Sequence, residues 1–113
     1  MKERRDTARY EVEIPIVLAT IGLRPNIDTP ACIVNLSRIG AKIVSPLYFE
    51  SDQPIHVRVE MIGGPFKLSA HLLRCTQDDN QKVRYEKTYV LHVSFQEKLN
   101  DQNWQTLLDL GKC

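Results

Sequence analysis

Cysteine is scarce and poorly placed for cross-linking: Cys32, Cys75 and Cys113 are an odd number, widely spread, with no Cys-x-x-Cys pair. A disulfide framework is thereby excluded, and a reducing compartment is expected. An excess of charge of one sign is lacking too. The 15 Lys and Arg residues against 14 Asp and Glu leave a formal charge of +1, too little for a general DNA or RNA binder. Aromatic residues are only 7% of the chain, and Tyr10, Tyr48, Tyr85 and Tyr89 do not interleave with Lys and Arg as a groove for single-stranded nucleic acid requires. No apolar run is long enough for a membrane span, and none follows the charged start as a signal peptide would, so a cytoplasmic protein without membrane insertion is expected. Signatures of catalysis are missing as well. There is no Gly-x-Ser-x-Gly, Gly63-Gly64 lacks the lysine and helix of a phosphate loop, and His56, His71 and His92 lack metal-ligand spacing. Neither an enzyme nor a metal site is expected, and the histidines read as surface residues.

What is present is a domain-sized chain with a strand-forming pattern. Its 113 residues, 42% hydrophobic and 26% charged, suit one globular domain without repeats, linkers or low-complexity tracts. Ile55, Val57, Val59 and Met61 alternate with His56, Arg58 and Glu60, and Val83, Tyr85, Tyr89, Leu91, Val93 and Phe95 share one parity. This period of two marks half-buried strands. Val12 to Thr20 is a further strand, with Pro15 placing its early part at a sheet edge or bulge. Two more, Ala31 to Leu36 and Ala41 to Ser45, flank a short turn. Between Phe66 and Arg74 the phase slips at Leu73: either a bulge near Leu72 and Leu73 turns Arg74 to solvent, or Arg74 stands at an open barrel mouth. Turns are expected at Ile62-Gly63-Gly64-Pro65 and Gln77-Asp78-Asp79-Asn80. Near the end the period changes. Asn100 or Asp101 caps a helix with Trp104, Leu107 and Leu108 on one stripe, and Gly111 is placed to stop it. Such a short helix must dock on the sheet or across a barrel opening to be stable. The predicted fold is all-β, a six-stranded antiparallel barrel with a short C-terminal α-helix. Residues 1–113 then form one domain, with a flexible arginine-rich arm over 1–10, the barrel over 11–96 and the helix over 100–110.

Two short segments carry the functional signal. Arg4-Arg5-Asp6-Thr7-Ala8-Arg9 contains Arg-x-x-x-Arg at Arg5 and Arg9, and Asn35-Leu36-Ser37-Arg38-Ile39-Gly40 contains Asn-x-Ser-x-x-Gly. In this order, with a strand between them, they resemble the two-part signature of the PilZ family, whose members bind the bacterial second messenger cyclic di-GMP. The resemblance covers nearly the whole chain, since the family also has a barrel and a C-terminal helix. It implies a non-catalytic receptor whose arm wraps the ligand against the barrel and whose altered surface acts on a partner protein. Arg4, Arg5, Arg9, Asn35, Ser37 and Gly40 then bind cyclic di-GMP, with Arg38 and Arg74 as additional candidates. Arg4, beside the first motif arginine, matches a feature associated in the family with an intercalated pair of ligands, so the count is one or two per chain. No other cofactor is implied.

The chemistry suits these residues. A guanidinium meets phosphate oxygens, or the O6 and N7 of guanine, with two parallel hydrogen bonds, and it stacks on purines. Asn35 offers an amide oxygen to the N1 and N2 donors of guanine. Ser37 either holds the turn or contacts the ligand, while Gly40 serves unusual backbone angles or close approach of the ligand. Many family members have Asp where this chain has Asn35 and Gly where it has Ile39. The alternatives are a solvated charged terminus with an ordinary turn, a PilZ-like adaptor that does not bind nucleotide, and a small barrel for single-stranded nucleic acid.

Overall fold

The computed structural model describes residues 9–20, 28–61, 64–78 and 88–111. Six strands, β1 (Tyr10–Thr20), β2 (Thr29–Leu36), β3 (Gly40–Ser45), β4 (Gln53–Val59), β5 (Phe66–Gln77) and β6 (Tyr89–Phe95), precede one helix, α1 (Asp101–Gly111). They close into an antiparallel barrel in the order β1-β2-β3-β6-β5-β4. The expected barrel and terminal helix are therefore present. Two neighbouring pairs are not consecutive in the chain, β3 with β6 and β4 with β1. The segment after β3 must accordingly cross a barrel end to reach β4.

Alternation of apolar residues puts one face of each strand into a common core. Ile14, Leu18, Ile33, Ile43, Ile55, Val57, Leu72 and Leu91 have no solvent exposure. Each such side chain contributes about 1.5–3 kcal/mol on burial. Pro15 pairs only with β2, because β1 meets β4 from Val17 onward; the missing N–H costs no ladder bond on that open edge. The slip in β5 is a bulge. Pairing with β6 shifts register between Leu72 and Arg74, leaving Leu73 exposed and turning Arg74 outward, so the reading with Arg74 at the barrel mouth is set aside.

Several expected boundaries move. β5 runs past Arg74, since Cys75, Thr76 and Gln77 resume pairing with Leu91, Val90 and Tyr89 beyond the bulge; Gln77 ends a strand rather than opening a turn. β6 is described from Tyr89, and Val83 and Tyr85 fall outside the described residues. β4 ends at Val59, short of Met61.

The helix begins as its sequence suggests: the Asn103 N–H donates to Asn100 Oδ1 at 2.8 Å, which makes Asn100 the N-cap. Trp104 and Leu107 are buried and, with Leu99, join the barrel core, while Leu108 and Leu110 pack at its margin. α1 lies on the first half of β1. Gly111 is the last helical residue, and its reason is proximity: a Cβ there would come within 2.8 Å of Val12 Cβ. No helix among the described residues is long and apolar enough to cross a membrane.

The adjacent leucines of the bulge should behave oppositely. Leu72→Ala should cost about 2–5 kcal/mol in urea unfolding, and Leu73→Ala should stay within about 0.5 kcal/mol.

Candidate ligand-binding site

The turn between β2 and β3 is built around one hydroxyl. The Ser37 N–H donates to the Gly40 carbonyl at 2.9 Å, and Ser37 Oγ accepts from the N–H groups of Ile39 at 3.3 Å and Gly40 at 3.1 Å. Ser37 is 1% exposed, so its hydroxyl serves the turn. Gly40 has neither a positive φ nor an open face toward a ligand. A Cβ on it would collide with the Val93 carbonyl oxygen, so glycine is required for β3 to approach β6. The backbone-angle reading of Gly40 made from sequence is replaced by this one.

The turn is also tied to α1. The Arg38 carbonyl accepts from Leu99 N–H and the Ile39 carbonyl from Phe95 N–H, each at 2.8 Å. The Arg38 side chain donates through Nη1 to Asp101 Oδ1 at 2.6 Å, and its guanidinium lies 5.2 Å from the centre of the Trp104 ring. The sequence leaves Arg38 as either a solvated arginine on the turn or an additional phosphate contact; its guanidinium pairs with the helix. The exposed carboxylate makes the ion pair worth no more than about 1 kcal/mol, with a similar amount from the ring. Trp104 in turn takes the edge of Tyr10, ring centres 5.4 Å apart at 70°. Arg9, immediately before Tyr10, therefore leaves the barrel close to the motif turn. Arg4 and Arg5 lie outside the described residues.

Asn35 is in β2 opposite Glu11 of β1 and Lys42 of β3. Its Oδ1 is shielded from solvent and accepts no hydrogen bond among the described residues. Such an acceptor costs about 1–3 kcal/mol when left unmade. From Asn35 a row of outward side chains runs across the sheet. Lys42 is opposite His92 of β6, and His92 is opposite Arg74 of β5. Arg9, Arg74, His92 and Leu73 line a hollow of about 270 Å³ over this row. Burial first, then the charges of Arg74, Lys42 and Arg9, hold the His92 imidazole below its usual pKa.

Sequence reasoning missed Lys42 and His92 as members of this surface. Their outward parity was visible, but the strand order that makes them neighbours was not. The structure brings Arg9, Asn35 and Arg74 to one face, with Ser37 and Gly40 buried beneath its edge as supports. A larger apolar hollow of about 440 Å³ lies elsewhere, between Ile14, Pro15 and Ile16 of β1 and Val59 of β4, beside Leu110. It has no convergent donors. Among the described residues no group of three or more His, Cys, Asp or Glu side chains could hold a metal.

Comparison with known proteins bears on the fold and the family. Comparison with curated protein sequences gives no match. Among solved structures, the PilZ domain with c-di-GMP of YcgR from Escherichia coli is similar, with a TM-score of 0.61 at 17% identity over 96% of this chain and 89% of that one. At that identity the likeness concerns the fold. The sequence model of the PilZ domain matches residues 3–110, and with that span this chain belongs to the PilZ domain family.

Proposed function

We propose that this PilZ domain is a non-catalytic receptor for cyclic di-GMP that passes occupancy to a partner protein through α1. The observation that carries the reading is the Asn35 acceptor, shielded and without a donor among the described residues, beside the basic row of Lys42, His92 and Arg74, the last two of which line a hollow with Arg9. A guanine edge supplies donors to the first, and phosphodiester groups supply anions to the second. The YcgR domain that shares the fold is described with the same ligand. Arg5 and Arg9 would clamp the nucleotide as planar forks, with Arg4 adding charge for a second ligand molecule. Ser37 and Gly40 contribute by holding the turn in place.

The connection from site to helix supports the second half of the reading. Tyr10 follows Arg9 directly, and Tyr10 and Arg38 both touch Trp104. Engagement of Arg9 by the ligand would thus shift the packing around Trp104 and change the surface that α1 presents. A differential contact of this kind is what a population shift requires.

Titration calorimetry with cyclic di-GMP should give saturable binding that Arg5→Ala and Arg9→Ala each weaken about tenfold or more, from a loss of roughly 1.5–3 kcal/mol per charged hydrogen-bonded contact. Arg9→Lys should weaken it as well, because an ammonium lacks the fork. GTP and linear dinucleotide are the controls. A folded protein that gives no heat with the cyclic ligand sinks the receptor reading and leaves the nucleotide-free adaptor.

Trp104 is the only tryptophan in the chain. Its emission should change on saturation with cyclic di-GMP, and Arg38→Ala should diminish that change more than it weakens binding. An emission spectrum indifferent to the ligand would remove α1 as the output.

A further inference from the structure

The basic row across β3, β6 and β5 is more than the two motifs require. Residues directly opposite on one face of an antiparallel pair lie about 4.5–5.5 Å apart at Cβ, close enough for their side chains to share one ligand group. Lys42, His92 and Arg74 occupy three successive such positions, and Arg9 lines a hollow together with His92 and Arg74. Among the described residues no carboxylate forms an ion pair with any of the four: Asp101 is taken by Arg38, Asp28 and Glu60 by Arg58, and Asp52 by His71. Glu11 is separated from Lys42 by Asn35. The outward positions on either side of His92 are Val90, opposite Val44 and Thr76, and Ser94, opposite Gly40 and His71. His71 is held by Asp52 at 2.7 Å. His92 therefore faces Lys42 from β3, Arg74 from β5 and Arg9 from the arm, and among the described residues none of these is ion-paired with a carboxylate.

We propose that Lys42, His92 and Arg74, closed over by Arg9, form a seat for one phosphate group, and that His92 takes up a proton from solvent when the anion arrives. The ligand's identity as a cyclic dinucleotide rests on the receptor reading above; the seat itself rests on the row. In the free protein burial, and after it the charges of Arg74, Lys42 and Arg9, hold the imidazole below its usual pKa. An anion among them reverses the sign of the local field and favours the imidazolium. The pKa is then higher in the bound state than in the free one. Affinity accordingly rises as pH falls through the bound-state pKa, and the gain is complete below the free-state value.

The test is NMR titration of the histidine ring protons in the full chain from about pH 5 to about pH 8, a range that brackets an imidazole. It is run alone, with saturating cyclic di-GMP, and separately with inorganic pyrophosphate. The His92 midpoint should rise by about one unit with cyclic di-GMP and in the same direction with pyrophosphate, as expected for an anion brought within a few ångström. Those of His56 and His71 should stay in place. His92→Gln should flatten the pH profile of cyclic di-GMP affinity, and Lys42→Ala should reduce the His92 shift. If cyclic di-GMP moves other resonances while the His92 midpoint is unchanged, the seat is overturned although the receptor stands. If cyclic di-GMP moves nothing, the receptor reading fails, and pyrophosphate decides the seat: a raised His92 midpoint supports it, an unmoved one overturns it.

Discussion

The close approach of β3 to β6 is the constraint on which the rest of the molecule depends. These strands are distant in the chain, and their pairing begins at Gly40, opposite Ser94, where there is no room for a side chain against the Val93 carbonyl. Once that register is set, Lys42 must stand beside His92, and the turn preceding Gly40 must lie against the segment joining β6 to α1. Both halves of the candidate site follow from one missing Cβ. The motif glycine thus acts through strand pairing and not through a backbone angle.

The two sides of the motif turn differ in how well their polar groups are satisfied. Toward α1 the carbonyls of Arg38 and Ile39 have donors, and the Arg38 side chain has both a carboxylate and a ring. Toward the sheet, among the described residues, Asn35 Oδ1 has no donor and Lys42, His92 and Arg74 have no ion-paired carboxylate. The shielded acceptor costs about 1–3 kcal/mol. A core in which Ile14, Leu18, Ile33, Ile43 and Leu91 are fully buried outweighs that cost. Local rules broken on one face, while the rest of the fold obeys them, support the proposal that this face takes the ligand.

Much of the architecture was legible because it depends on neighbours in the chain. Strict alternation located Ile55 to Val59, a single phase slip located the bulge at Leu73, and an asparagine before an apolar stripe located the start of α1. Pro15 marked an unpaired edge because its missing N–H admits few alternatives. The end of β5 was misplaced because pairing resumes beyond the bulge, which no local pattern announces. Gly111 resembled a helix stop, yet what demands it is the proximity of Val12 on another element. Arg38 looked free for phosphate because Asp101 and Trp104 lie more than sixty residues further along.

The sequence by itself determined the class of fold, the hairpin that carries Asn35 and Ser37, and the family resemblance, since each rests on residue types at short, fixed spacing. Only the tertiary structure decided that Lys42, His92 and Arg74 form one row and that the motif turn is fastened to α1. Cross-strand adjacency in a closed barrel is set by strand order and register, and these emerge when distant apolar faces share one core.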